Sequence, residues 1–180
     1  MDKKLLKILN LSKSLKLPEY AHPGDAGLDL MACFDTKSDP TEGGYSEIKV
    51  YDTTNTVKTE LVYKDRLFAV LPKHRYLIPT GIKISLDEGC QAEVRPRSGN
   101  ALKKGLTVLN TPGTIDESYR GEVGVILINM SDTPIYITHG EKIAQLVIMP
   151  YIVPDIYEVD SEESLGTTLR GDKAYGSSDK

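Results

Sequence analysis

The sequence predicts an all-β protein, a sandwich or barrel of short antiparallel strands, and three observations carry that prediction. Apolar residues recur with period two in short runs, turn residues break those runs at close intervals, and the 3.6-residue periodicity of amphipathic helices is almost absent. A length of 180 residues suits one core rather than two. With 39% hydrophobic and 27% charged residues the chain can build that core, which excludes a wholly disordered protein. A net charge of -4 excludes broad attraction to nucleic acid or anionic lipid, so an anionic ligand has to be held by local groups.

Taken in order, the expected strands are Leu5–Leu11, Gly27–Ala32, Glu47–Tyr51, Val57–Tyr63, Arg66–Leu71, Tyr76–Ser85, Cys90–Arg95, Gly121–Asn129, Ile135–Ile137 and Lys142–Tyr157. The last is expected to break at Pro150 or Pro154, because proline donates no ladder hydrogen bond. One short helix is expected at Gly99–Lys104, where good helix formers precede a glycine that can end it. Residues 36–65 read as an excursion: a polar stretch, then two alternating runs around Asp52-Thr53-Thr54-Asn55, hence an inserted β-hairpin. We expect it to lie on the surface and to be dispensable for hydrolysis; docking of a protein partner is the alternative, and the sequence does not choose between the two. The organisation is then a β-domain over 1–159 and a mobile C-terminal arm over 160–180, where little apolar material remains.

Neither cysteine, Cys33 nor Cys90, stands in a CxxC spacing, so both read as buried thiols in a reducing, cytoplasmic setting. The N-terminal apolar run is interrupted by Lys7, Asn10 and Lys13, too early for a secretory core, and no stretch approaches the ~20 apolar residues of a membrane span. Phosphate loops of the GxxxxGK[ST] kind, HExxH and zinc-type Cys/His spacings are missing. His22, His74 and His139 lie far apart with no triad context.

Four polar clusters are hard to read as plain surface. Pro96-Arg97-Ser98-Gly99 sits at a strand-to-helix turn, where exposed N–H groups, a hydroxyl and a guanidinium suit a polyphosphate; from the tetrapeptide alone an ordinary capped turn is equally good. Asn110 through Gly121 gathers an amide, Asp116 and Tyr119 in one turn-rich stretch, enough to activate a water and cover a sugar or base, though a lone Asp in a loop more often caps a turn. Asp29 interrupts an apolar strand and needs a partner: the water shell of Mg²⁺, or with at least equal weight an arginine or backbone N–H groups. Finally Gln145 stands in an apolar strand, and the tail from Arg170 to Ser178 combines an arginine, an aromatic ring and hydroxyls as a lid would; a core amide and a disordered tail are the plainer alternatives.

In sequence order these clusters resemble the five motifs of the homotrimeric dUTPases: Gly24-Asp25-Ala26-Gly27-Leu28-Asp29-Leu30, Pro96-Arg97-Ser98-Gly99, Gly113 through Gly121, Gly140-Glu141-Lys142-Ile143-Ala144-Gln145-Leu146-Val147, and Arg170-Gly171 through Ser178. The resemblance implies a jelly-roll-like β-barrel, a homotrimer with active sites between subunits, and hydrolysis of dUTP to dUMP and pyrophosphate with Mg²⁺. By the same resemblance Asp116 activates the attacking water and Arg170 serves catalysis and the γ-phosphate. Asn110, Gly113, Ile115, Tyr119 and Tyr175 hold the base and sugar. Arg97, Ser98, Gly99, Gln145, Arg170, Ser177 and Ser178 bind phosphate, and Asp29 holds Mg²⁺ through water. The fifth motif departs from the family's Gly-Gly-Phe-Gly-Ser-Thr-Gly, with Lys173, Ala174 and Asp179 stiffening the arm and adding negative charge, so looser arm ordering is expected. Two rivals remain: a dCTP deaminase, which shares the fold and phosphate turn, and a nucleotide-binding regulatory protein with weakened catalysis.

Overall fold

In the computed structural model, residues 4–39, 43–168 and 171–172 are described. Thirteen strands occur among them: β1 (Leu6–Asn10), β2 (Gly27–Met31), β3 (Lys37–Asp39), β4 (Gly43–Tyr51), β5 (Val57–Tyr63), β6 (Phe68–Val70), β7 (Arg75–Leu86), β8 (Cys90–Pro96), β9 (Leu106–Val108), β10 (Gly113–Ile115), β11 (Glu122–Asn129), β12 (Ile135–Ile137) and β13 (Lys142–Pro150). The single α-helix, α1 (Ser98–Lys104), ends at Gly105, whose φ of 70° is one that glycine adopts without strain. The all-β expectation is borne out. The strands the sequence does not reveal, β3, β9 and β10, have three residues each, too few for a period of two to register.

All pairing is antiparallel, in three sheets. The largest runs β3-β4-β7-β11-β9, with β1 also on β7 and β5 on β4; a second runs β10-β8-β13-β2; β12 and β6 form the third. Strict alternation drives the layering. In β11, Val123, Val125, Leu127 and Asn129 point inward while Gly124, Ile126 and Ile128 face the other way. In β2, Leu28 and Leu30 enter the core and leave Asp29 on the outer face. The inward sets of the sheets, with Tyr76 packed edge-on to Phe68 at 5.4 Å, make one continuous core.

The segment 36–65 is a hairpin, as expected, but not a surface attachment. β4 and β5 pair from Tyr45 opposite Tyr63 to Tyr51 opposite Val57, and the turn is closed by Asp52, whose carboxylate accepts from the N–H groups of Thr54 and Thr56 at 2.8 and 2.9 Å. β4 also pairs with β7, Lys49 opposite Leu77, and buries Ile48, Val50 and, through β5, Val62. The excursion therefore extends the main sheet, and the expectation that it lies only on the surface is corrected.

After β13 Tyr151 is still held, its N–H donating to Gly89 O at 3.1 Å and its hydroxyl to the Glu117 carboxylate at 2.8 Å, and from Ile152 to Tyr157 the chain joins no strand and exposes Ile152, Val153, Ile156 and Tyr157. No helix among the described residues is long and apolar enough to cross a membrane.

Candidate functional site

Two groups of polar residues stand on the β10-β8-β13-β2 sheet. The first is the β9–β11 connection. Asn110 precedes a cis Thr111–Pro112 bond, after which β10 joins β8 with Gly113 opposite Val94. A Cβ on Gly113 would come 3.0 Å from Asn110 Nδ2, so the missing side chain lets the amide lie against the strand. A turn follows, with Tyr119 N–H donating to Asp116 O at 3.0 Å. The Tyr119 hydroxyl donates to Glu122 O at 2.9 Å, holding the ring over Gly121.

Asn110, Gly113, Ile115 and Tyr119 line one cavity of about 320 Å³, a volume suited to a nucleoside-sized ligand. Its other walls come from β7, β11 and the β4–β5 hairpin. Burial raises the pKa of Glu122 at this cavity, partly offset by the N–H of Gly81 donating to its carboxylate at 2.9 Å. Asp116 is exposed beside Ile115, and among the described residues its carboxylate has no hydrogen bond or ion pair, leaving it free to take up a water.

The second group joins β2, the β8–α1 turn and β13. Asp29 Oδ1 lies 3.0 Å from Arg97 Nε and Oδ2 lies 2.7 Å from Lys142 Nζ. Arg97 Nη1 and Asn100 Nδ2 both donate to Lys142 O, at 3.3 and 3.1 Å. Arg97 Nε is buried without an aligned hydrogen bond, so its hold on Asp29 is Coulombic and can be exchanged for a better-placed anion. Ser98 and Gly99 open α1 and are exposed. Gln145 stands opposite both Asp29 and Arg95 in register, and a Cβ on Gly27 would be 2.7 Å from Gln145 Oε1, so Gly27 makes room for this amide.

The two cations on Asp29 could receive an anion, and the cavity beside Asn110 and Tyr119 has room for a nucleoside-sized ligand. A sequence model of the dUTPase family matches residues 61–179. The deoxyuridine 5'-triphosphate nucleotidohydrolase of Corynebacterium jeikeium is 41% identical over 173 residues, spanning 96% of this chain and 91% of the relative. The chain belongs to the dUTPase family. A solved mutant dUTPase of Staphylococcus bacteriophage 80alpha, bound to dUpNHpp, superposes with a TM-score of 0.70 at 25% identity, covering 97% of this chain and 98% of that one. A mutant dUTPase of phage phi11, described as revealing the coordination of a structural Mg(II) ion, shares the fold at a TM-score of 0.63 and 23% identity, over 88% and 99% of the two chains.

Within this dUTPase-type fold, the residues singled out from the sequence divide between the two groups. Asn110, Gly113, Ile115 and Tyr119 converge on the cavity; Arg97, Ser98, Gly99 and Gln145 cluster with Asp29 at the other end of the sheet. The structure does not bring Asp116 to Arg97. Ile115 is level with Ala92, so Asp116 lies level with Gln91 near the start of β8 while Arg97 follows its end. Arg170, Tyr175, Ser177 and Ser178 lie outside the described residues. Sequence reasoning did not single out Lys142, which shares Asp29, Asn100, which ties the phosphate turn to β13, or Lys49 on the cavity wall. Lys142 and Gln145 share β13; the register sets Gln145 opposite Asp29 and Lys142 opposite Met31, and only that pairing with β2 reveals that the Lys142 side chain meets Asp29.

Of the expected Mg²⁺, the donor set says how it could be held. Asp29 is one carboxylate with both oxygens already facing cations, not a preformed cage. Such a donor set would suit an ion that arrives on a polyphosphate, with Asp29 as the carboxylate that would hold it.

Proposed function

We propose that the protein is a dUTP diphosphatase, hydrolysing dUTP to dUMP and pyrophosphate and so limiting uracil in DNA while supplying dUMP. The observation that carries this reading is the cavity that joins the Asn110 amide, the Gly113 and Ile115 strand and the Tyr119 ring beside an unpaired Asp116. Asn110 carries both a donor and an acceptor for the uracil edge, and the Tyr119 ring covers deoxyribose where a 2′-hydroxyl would collide. Asp116 accepts a proton from water as its oxygen attacks the α-phosphorus. The bond from that phosphorus to the bridging oxygen breaks, pyrophosphate leaves with the bond's electron pair, and the proton passes from Asp116 to solvent. Arg97, Ser98, Gly99 and Gln145 hold the leaving phosphates; Asp29 would hold a Mg²⁺ brought in with the nucleotide, and that ion would supply charge neutralisation to the phosphates. Arg170, Tyr175, Ser177 and Ser178 of the arm complete the enclosure in this reading, with Arg170 on the γ-phosphate.

We further read the working unit as a homotrimer with sites between subunits. From the level of Asp116 to Arg97 is six residues along β8, about 20 Å at ~3.4 Å per strand residue. One triphosphate cannot present its α-phosphorus to one end and its remaining phosphates to the other, so the water-activating half of one chain has to work with the phosphate half of another. The apolar run Ile152–Tyr157, outside every strand and with Ile156 98% exposed, is the sort of segment that docks on a neighbouring copy. Both cysteines are free and buried, in keeping with a reducing cytoplasm.

Incubating the purified chain with Mg²⁺ and dUTP, dCTP, dTTP or UTP tests the reading. Pyrophosphate and dUMP from dUTP alone are expected, and Asp116→Asn should lower turnover by at least about 10²-fold while nucleotide still binds. Ammonia released from dCTP would assign the site to a deaminase instead, and a folded protein silent on all four nucleotides would assign it to a regulator.

A further inference from the structure

The β4–β5 hairpin lies outside every motif used so far, yet it walls the cavity that holds Asn110 and Tyr119. Glu47 and Lys49 of β4 and Thr59 of β5 all face it, because alternation along β4 turns Glu47 and Lys49 toward the cavity while Ser46, Ile48 and Val50 enter the core. Pairing pins the position of Lys49 from both sides: Leu77 of β7 is opposite on one edge and Thr59 on the other. Lys49 is the one basic residue on the cavity wall, and among the described residues it has no ion pair or hydrogen bond from its side chain. Its neighbour Glu47, by contrast, is engaged by Lys37. The wall thus presents a positive charge whose nearest acidic strand neighbour is already neutralised.

Resting on the reading of this cavity as the uracil site, we propose that Lys49 is a specificity residue that donates to a carbonyl oxygen of the pyrimidine. An ammonium offers three donors and no acceptor. It matches the C4 carbonyl of uracil and repels the C4 amino group of cytosine, whose hydrogens carry positive charge. Asn110 alone is weak here, since an amide can rotate to exchange donor and acceptor and suit either base. Lys49 cannot make that exchange, so the hairpin adds to the pocket a donor of fixed sense beside the main-chain groups of Gly113–Ile115.

Lys49→Met keeps length and removes charge on an exposed, already paired strand position, so folding should survive; Lys49→Arg restores the charge. Against wild type, Lys49→Met should raise KM for dUTP about tenfold with kcat within about twofold, and lower the preference for dUTP over dCTP in kcat/KM by a similar factor. Lys49→Arg should recover most of that preference. Calorimetric binding of deoxyuridine and of dUMP should weaken alongside. Unchanged KM and unchanged preference in Lys49→Met would overturn the assignment, as would a loss seen with dUTP but not with deoxyuridine, which would move the contact to phosphate. Wild-type protein inert toward dUTP would instead remove the reading on which the assignment rests.

Discussion

A Cβ at Gly121 would come 2.3 Å from the Tyr119 hydroxyl oxygen and 2.5 Å from the carbon that bears it. Glycine at 121 is therefore what lets the Tyr119 ring lie flat beside the cavity with its hydroxyl on Glu122 O. Tyr119 is 44% exposed, so in Gly121→Ala the ring can swing away at little cost to the fold, under about 1 kcal/mol. The loss should fall on ligand binding instead. We expect KM for dUTP to rise about tenfold or more with the denaturation midpoint nearly unchanged, read by steady-state kinetics beside urea unfolding. The same logic joins Gly27 to Gln145 and Gly113 to Asn110: three glycines of the motifs stand where a functional side chain needs their space. Their chemistry was legible in the sequence as a pattern, but the reason for each glycine became visible only with its neighbour in place.

Between elements, the turn after β1, the end of β2 and the turn before β13 are tied by one buried cluster. Asp35 accepts from Ser12 and Ser14 hydroxyls, each at 2.7 Å, and from Cys33 Sγ at 3.1 Å. His139 Nδ1 accepts the N–H of Phe34 at 2.9 Å, which requires a neutral ring with its proton on Nε2, 2.9 Å from Ser14 Oγ. Burial pushes the Cys33 thiol up to about 12, so it stays protonated and donates. Cys33, Asp35 and His139 also form the one three-residue group among the described residues close enough to share an ion, but hydrogen bonds already saturate Asp35. Burial lowers the pKa of His139, against the pull of Asp35, so at pH values just under 6.5 the unfolded chain binds the extra proton. Its contribution is complete above about pH 6.5 and is lost as pH falls through the lower folded value. Burial also opposes ionisation of Asp35, yet the Ser14, Ser12 and Cys33 hydrogen bonds outweigh it and hold the pKa below 3.8, so a second loss follows at more acid pH. The urea midpoint should therefore fall between pH 7 and pH 5 in wild type, with His139→Asn removing that part of the slope while the more acid loss remains. A wild-type midpoint flat over that range would contradict the role given to His139.

At the scale of the whole molecule, Asp116 and Arg97, proposed here to activate water and to bind phosphate, lie near opposite ends of β8. A site shared between chains predicts complementation. Asp116→Asn and Arg97→Ala should each be inactive alone, yet mixing them under conditions that exchange subunits should restore activity, because some interfaces then pair an intact Asp116 with an intact Arg97. Random assembly at equal amounts gives roughly a quarter of wild-type activity. Light scattering should report three copies throughout, and the absence of recovery from exchanged trimers would assign each site to a single chain.

Strand-by-strand alternation was enough to read the all-β class, most strands, and α1 with its Gly105 stop, because period and turn chemistry act within a few residues. Motif residues were legible for the same reason: Pro96 through Gly99 and Gly113 through Gly121 are local turns whose chemistry travels with the turn. What only the tertiary structure decided depends on register between distant segments. Asp29 meets Arg97 and Lys142 because β13 bridges β2 and β8, and neither pairing leaves a mark within a short window of sequence. The hairpin at 43–63 reads locally as an ornament, since its polar turn and exposed β5 face resemble any surface excursion. Its place beside β7, with Ile48 and Val50 in the core and Lys49 on the cavity wall, follows from long-range pairing that alternation permits but cannot specify.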